Sequence, residues 1–315
     1  MSAFERLGLS TEKMKNEDSP FSKEQTQTQE TFGFKWSLRN TYESAAVKET
    51  TRTWLKQRYL SGNNQVLNEW LSGERKIILD AGCGAAHSAL LFFGDLLNDH
   101  DYLGVDISNA VQVAELRFRE AGISGEFLQC NLMDIPIPEA SVDLIFSEGV
   151  LHHTDNTEKA IIALSKKLKI GGYFLFYVYA KKSPIREFTD AHIRNYLRSL
   201  SDQEAWQALE SLTSLGIALG KLNTTIEVPE DIPYLGVTKG SYDLQRFFYW
   251  NICKLFFHPD FSFEEMNHIN FDWFRPLNCH RHTPEEVKSY CEHANLSIEH
   301  MDVQESGITV VARKL

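Results

Sequence analysis

The sequence predicts an α/β protein with a doubly wound, mostly parallel sheet of seven strands, an antiparallel final hairpin and a helical cap insertion. Three observations predict it. Strand-like and helix-like stretches alternate from Lys76 to Ala180 at the spacing of βαβ units. The last two strand-like stretches are parted only by Gln304 to Gly307. A parallel crossover needs about a dozen residues, so that pair is an antiparallel hairpin. Between these regions, Ser183 to Phe271 shows helical patterning and no convincing strand series.

Each element follows from its local pattern. Met1 to Thr31 is polar, charged and Gln/Thr-rich, which predicts a mobile tail. "FGFKWSLRNTYES" is an abrupt aromatic and basic cluster, and Phe32, Phe34 and Trp36 are expected to be covered. "AVKETTRTWLKQRYL" and "QVLNEWL" have the mixed three- and four-residue apolar spacing of amphipathic helices. "KIILDA" then reads as a buried strand, "AHSALLFFGDLLN" as a helix and "DYLGVDIS" as a strand ending in an acid. "NAVQVAELRFREAG" is a helix stopped by Gly122, and "GEFLQCNL" and "SVDLIFSEG" are strands. "NTEKAIIALSKKLKIGG" reads as a helix capped by Asn156 or Thr157 and closed by glycines. "YFLFYVYA" is apolar on both faces and predicts a central strand. The insertion has helical "IREFTDAHIRNYLRSL", "DQEAWQALESLTSLGIALGKL" and "SYDLQRFFYWNICKLFF". "TPEEVKSYCEHANL" is a helix with Thr283 as cap and Pro284 in the first position, and "LSIEHMDV" and "GITVVARK" are the closing strands. The expected domains are 1–75 as tail and helical flap, 76–182 with 272–315 as core, and 183–271 as cap.

The chain has 315 residues, 43% of them hydrophobic, enough for a large core. A formal net charge of −11 argues against nucleic acid as the main partner. Five scattered cysteines with no CxxC pair indicate neither a disulfide framework nor a common zinc site, and fit a reducing, cytoplasmic setting. The start lacks the apolar core of a signal peptide, and no apolar run reaches the roughly 18 residues of a membrane span. No membrane partner is expected.

In an open parallel sheet, ligands bind at the carboxyl ends of the strands where the winding reverses. "KIILDAGCGAA" puts a loop there, in which Gly82 and Gly84 allow unusual backbone angles and close approach. The second strand ends in Asp106, placed to accept both ribose hydroxyls of a nucleoside. A dinucleotide site wants Gly-x-Gly-x-x-Gly, and the last slot here is His87. Asp80 at the first strand tip repels a pyrophosphate and attracts an ammonium, which favours S-adenosylmethionine.

Four stretches in order, "ILDAGCG", "LGVDIS", "QCNLMDIPIPEASVDLIFSEGVLHH" and "LKIGGYFLF", resemble the successive motifs of class I S-adenosylmethionine-dependent methyltransferases. The resemblance covers Lys76 to Ala180, and the final hairpin is consistent with it. It implies that Asp80, Gly82, Cys83 and Gly84 line the methionine portion of S-adenosyl-L-methionine. Asp106 with Ile107 would hold the ribose and flank the adenine, Asn131 with Leu132 would meet the adenine edge, and Ser147 would begin the loop facing the sulfonium. Two positions depart from the pattern. Ala86 stands at the usual third glycine, and Asn131 stands where Asp is frequent, although Asn still accepts through its carbonyl oxygen. Related enzymes use a preceding segment as a flap, which assigns Trp36, with Lys35 or Arg39, to closing the site. A plain hydrophobic anchor is the other reading.

Methyl transfer asks the protein to hold the nucleophile roughly 3–3.5 Å from the methyl carbon and to exclude water. Oxygen and nitrogen acceptors also lose a proton, so a nearby base helps. "EGVLHHTDN" offers Glu148, His152 and His153, and "NCHRHT" offers His280, Arg281 and His282. The catalytic candidates are His152, His153 and His282, with a bond inside their own loops as the competing role. No metal is expected, because no ligand spacing surrounds these histidines. Tyr177 and Tyr179 either shape an acceptor pocket or pack under the cap. In "FDWFRP", Arg275 either binds an anionic group or packs with Trp273. The aromatic cap argues for an enclosed pocket and a small-molecule acceptor with an O, N or S nucleophile. "LQRFFYWNICKLFF" suits a homodimer interface as well. The alternative function is a non-catalytic S-adenosylmethionine-binding or partner-activating protein. An aminopropyl transferase would want more acids in the acceptor loop. A nucleic-acid methyltransferase is disfavoured by charge and by the missing Asn-Pro-Pro-aromatic motif.

Overall fold

The computed structural model describes residues 3–9 and 22–315. Its strands are β1 (Ile77–Ala81), β2 (Asp101–Asp106), β3 (Glu126–Gln129), β4 (Val142–Glu148), β5 (Leu168–Tyr179), β6 (Thr225–Val228), β7 (Gly240–Asp243), β8 (Leu296–Val303) and β9 (Gly307–Lys314). The helices are α1 (Ala3–Arg6), α2 (Lys23–Ser37), α3 (Ala45–Leu60), α4 (Gln65–Trp70), α5 (His87–Phe93) and α6 (Ala110–Glu120). They continue with α7 (Thr157–Ser165), α8 (Pro184–Leu197), α9 (Asp202–Lys221), α10 (Leu244–Asn251), α11 (Phe263–Phe274) and α12 (Pro284–His293).

The chain forms two compact units. The first takes residues up to Ser37, Glu49–Ala180 and Asn278–Leu315; the second takes Leu38–Lys48 and Lys181–Leu277. The first holds a seven-stranded sheet of order β3-β2-β1-β4-β5-β9-β8. The pairs from β3 to β5 are parallel, whereas β5–β9 and β9–β8 are antiparallel. The short link after β8 forces that last reversal. Winding changes direction between β1 and β4, so the carboxyl ends of β1, β2 and β4 frame the switch point.

The sheet is buried where the sequence is apolar on both faces. Every residue of β1 and β2 is buried. Phe146 of β4 lies flat on Phe92 at 5.4 Å and meets Phe93 and Tyr59 edge-on at 5.4 and 5.7 Å. Aromatic pairs in these geometries contribute beyond the area they bury.

Three expectations about elements need correction. The tail reading of Met1 to Thr31 fails where the structure is described, because α2 starts at Lys23 and α1 covers Ala3–Arg6. The rest of that segment lies outside the described residues. α2 buries Gln25, Thr28, Thr31 and Lys35, a polar stripe that hydrophobic periodicity misses. Ser22 Oγ accepts from Gln25 N at 2.9 Å and starts the helix. In the same way, "LKIGG" belongs to β5 rather than to a helix end: Gly171, at φ +80°, lies inside the strand.

The third correction concerns the second unit, which is not wholly helical. β6 and β7 pair antiparallel from Thr225↔Asp243 to Val228↔Gly240, and Asp243 then caps α10 through Arg246 N at 2.9 Å. Elsewhere α9 and α11 are stitched by Thr213 Oγ1 donating to Asn267 Oδ1 at 2.7 Å. Ser201–Glu204 and Ser262–Glu265 form complete capping boxes. Among the described residues no helix is long and apolar enough to cross a membrane.

Phe146 is 1% exposed at the centre of its ring cluster. Phe146→Ala is expected to destabilise the protein by about 3–5 kcal/mol in urea unfolding.

Candidate functional site

The site is built at the carboxyl edge of β1, β2 and β4. The loop after β1 is clamped to the tip of β2, with Gly82 N and Cys83 N both donating to Val105 O at 2.7 and 2.9 Å. Gly82 (φ +86°) and Gly84 (φ +51°) occupy backbone regions that favour glycine. Space is limiting too. A Cβ on Gly82 would lie 2.2 Å from Val150, and one on Gly84 would lie 2.5 Å from the Trp36 indole. Arg117 braces the loop from α6, donating to Ala85 O at 2.9 Å.

Asp106 ties the two strand tips together. One oxygen accepts Gly84 N at 2.8 Å, and the other accepts Ser108 N and Oγ at 2.8 and 2.7 Å. Burial raises its carboxyl, opposed by those hydrogen bonds and by the Lys35 charge. Asp80 accepts the Tyr102 hydroxyl at 2.6 Å. Burial, with the charges of Asp106 and Glu148 adding to it, pushes Asp80 up to about 7. Burial also drives the Cys83 thiol well above its usual range.

α2 lies across this loop. Trp36 touches Gly84, Gly33 packs against Asn109, and Gln29 donates to Ile107 O at 2.9 Å. Lys35 is buried, with its ammonium 4.1 Å from the Trp36 ring centroid. Arg39 belongs to the second unit, where it pairs with Glu43 at 2.9 Å. Asn131 accepts Met133 N at 2.9 Å and so starts the turn that buries Leu132. The Ser147 hydroxyl is buried and donates to Ala81 O at 2.7 Å, linking β4 to β1.

"NCHRHT" acts as a clamp on the loop after β4. Its alternate residues 278, 280 and 282 bond that loop, as period-two extended backbone allows. His153 Nδ1 meets Asn278 O at 2.6 Å, and Asn278 Nδ2 donates to Asp155 at 2.8 Å. His280 N donates to His152 O at 2.9 Å, and its ring bonds Thr154 O at 3.0 Å. His282 Nε2 pairs with Thr157 Oγ1 at 3.0 Å, and its amide donates to Tyr179 O at 2.9 Å. His152 and His153 stay together, with ring centroids 4.2 Å apart, and His152 lies 3.7 Å from Tyr179. His152, His153 and His282 are all buried, and the His282 ring bonds Thr157. Among the described residues no group of His, Cys, Asp and Glu could hold a metal ion.

The sequence reading missed several residues of the site, among them Tyr102 at Asp80 and Ser108 at Asp106. Arg58 and Tyr59 of α3 both bond Glu148, the last residue of β4, at 2.6 Å. The Arg58 guanidinium also lies 4.2 Å from the Tyr177 ring centroid. Burial raises Glu148, opposed by Arg58 and Tyr59. The adjacent Arg-Tyr pair was the available signal, but nothing local ties it to a strand tip ninety residues on.

Strand order, glycine loop and acid-tipped second strand together define the class I methyltransferase fold. Comparison with known families matches residues 79–176 to the family described as a methyltransferase domain. Over that core the chain is similar to class I methyltransferases, a family that uses S-adenosyl-L-methionine as methyl donor. An uncharacterised methyltransferase of Bacillus subtilis is 31% identical over 146 residues, 44% of this chain and 56% of that protein. A fatty-acid O-methyltransferase of Mycolicibacterium smegmatis is 26% identical over 131 residues, 41% of this chain and 47% of that protein. The chain thus spans about half the length of these relatives. The solved magnesium protoporphyrin IX methyltransferase of Synechocystis PCC 6803 is similar with a TM-score of 0.48 at 10% identity, covering 95% of this chain and 100% of that one.

Burial pulls His282 down from 6.5 to about 4. The unfolded chain therefore takes up a proton that the folded one refuses. The stability due to this group is complete above 6.5 and is lost as pH falls towards about 4. His282→Gln is expected to flatten that part of the pH profile of the thermal midpoint.

Proposed function

We propose that the protein transfers a methyl group from S-adenosyl-L-methionine to a small-molecule acceptor through an oxygen, nitrogen or sulfur atom. The observation that carries this reading is the convergence of three carboxylates, buried Asp80 and Asp106 and half-buried Glu148, near the tips of β1, β2 and β4. Burial first, and then the charges of Asp106 and Glu148, raise Asp80, and a cationic ligand opposes both effects. The residues present fit such a donor. Gly82 and Gly84 let the loop turn tightly beneath Val150 and Trp36, and Asp106 keeps acceptor capacity beyond its three hydrogen bonds. A pyrophosphate would meet the same acids unfavourably.

When bound, the donor supplies an electrophilic methyl group on a positive sulfur. In this reading Gly82, Cys83 and Gly84, with Asp80, hold the methionine portion. Asp106 and Ile107 hold the ribose, Asn131 and Leu132 border the adenine, and Ser147 fixes the floor where β4 meets β1. Trp36 closes the site from α2, with Lys35 held under it. His153 is the best-placed base. A carbonyl can only accept, so its Nδ1 donates to Asn278 O, and Nε2 is the proton-accepting nitrogen of the neutral ring. His152 stacks beside it and sets its position, and His282 acts as a strut through Thr157.

In isothermal titration with S-adenosylhomocysteine, Asp106→Ala is expected to weaken binding about ten- to a hundredfold, the scale of a lost charged hydrogen bond. An unchanged dissociation constant would remove Asp106 from the ribose. Binding of the cationic donor favours ionised Asp80, so affinity should rise with pH up to about 7 and lose that slope in Asp80→Asn. An acceptor screen with methyl-labelled donor tests turnover. Donor binding with no transfer to any acceptor would favour the non-catalytic reading.

A further inference from the structure

α2 touches two parts of the site from one face. Gln25, Gln29, Phe32, Gly33 and Trp36 follow one another at the three- and four-residue steps that keep side chains on one side of a helix. Gln29, Gly33 and Trp36 take the turn after β2 and the glycine loop. The remaining two take the loop after β4 and its clamp. Gln25 Oε1 accepts Asn278 Nδ2 at 3.4 Å, and Phe32 stands edge-on to His153 with ring centroids 5.0 Å apart. Just ahead of the helix, Ser22 Oγ donates to Asp155 Oδ1 at 2.7 Å. All of these residues lie in the first unit.

The second set of contacts bears on one ring. His153 Nδ1 lies 2.6 Å from Asn278 O. A carbonyl only accepts, so Nδ1 carries the proton. The place of that carbonyl is set by the side chain of the same residue. An amide nitrogen has two hydrogens to give, and Asn278 Nδ2 reaches Asp155 Oδ1 at 2.8 Å on one side and Gln25 Oε1 on the other. Asn278 and Gln25 are both buried, so this tether is shielded from water. Phe32 and His152 both pack against the imidazole itself, with centroids at 5.0 and 4.2 Å.

Resting on the reading of His153 as the base, we infer that Phe32 and Gln25 are its positioning residues. Gln25 fixes the carbonyl that holds Nδ1–H, and Phe32 braces the ring, from the same helix face that lays Trp36 on the glycine loop. A base has to present a lone pair to the proton it takes, and an imidazole turned over would present an N–H or a C–H instead. The helix also links the two parts of the site. Fifteen residues are marginal as a helix alone, and the buried residues of α2 are Gln25, Thr28, Thr31 and Lys35, so specific contacts rather than a large apolar face seat it. Such an element seats as a unit, and loosening it at Trp36 is felt at His153.

The test is nuclear magnetic resonance of the full chain carrying nitrogen-15 histidine, at a pH well above the ordinary histidine range, with His153→Gln assigning the signal. The wild type is expected to show His153 in the Nδ1–H form. Phe32→Ala, Gln25→Ala and Trp36→Ala are each expected to replace that signal by one averaged over both tautomers, and Phe32→Tyr should keep it. Far-UV dichroism identifies the variants that fold. An Nε2–H form in the wild type, or a wild-type signal in any folded alanine variant, would overturn the assignment. The wild-type spectrum decides even if the variants misfold. S-adenosylhomocysteine titrated by calorimetry into the wild type reads the donor site separately: no binding there would remove the donor reading and leave the histidine result standing.

Discussion

The amide of Gly84 donates to the carboxylate of Asp106, and through that hydrogen bond the loop after β1 and the turn after β2 become one rigid object. The other Asp106 oxygen holds Ser108 by both its amide and its hydroxyl. A buried carboxylate with three donors is well satisfied, and removing the donors would leave a charge in a poorly solvated place. The glycine conformations follow from the same constraint. Gly84 must leave room for Trp36 on one side while presenting its amide to Asp106 on the other. The arrangement also explains why α2 has a polar buried stripe, since it packs on a loop and turn of polar backbone rather than on an apolar sheet face.

Charge is sorted within the chain far more sharply than its total of −11 conveys. In the first unit, acids at three strand tips face two cations, Lys35 and Arg58, each lying against an aromatic ring. In the second unit Arg186, Arg194, Lys182 and Lys254 gather around the Trp273 ring with Asp190 among them. Several of the chain's buried or half-buried cations lie against an indole or phenol face, which adds an attraction beside their other partners.

The sheet was legible because its strands are apolar on both faces and because the final link is too short to cross over. The glycine loop and Asp106 were legible because few residue types satisfy those backbone angles and that ligand chemistry. What stayed hidden was set by tertiary contact. α2 looked like a tail because its buried residues are Gln, Thr and Lys, so local hydrophobicity gave no period. Arg58 and Tyr59 read as ordinary residues of an amphipathic helix until Glu148 is placed beside them. In "NCHRHT" the histidines drew attention as chemistry, whereas their alternation reflects a clamp on the loop after β4. The β6–β7 hairpin was missed because strands of four residues leave too short a pattern.

β5 is bordered by β4 on one side and by β9 on the other, and the whole second unit after Lys181 lies in sequence between Tyr179 and Gly307. During synthesis the ribosome thus delivers a central, nearly all-apolar strand long before the strand that covers its open margin. Until β9 arrives, the unpaired backbone groups of "FLFYVY" form a sticky template of the kind that other chains add to. Interrupting the sheet with an insertion at this point therefore makes the nascent chain depend on shielding, by a chaperone or by the folding insertion itself, for as long as those residues take to emerge.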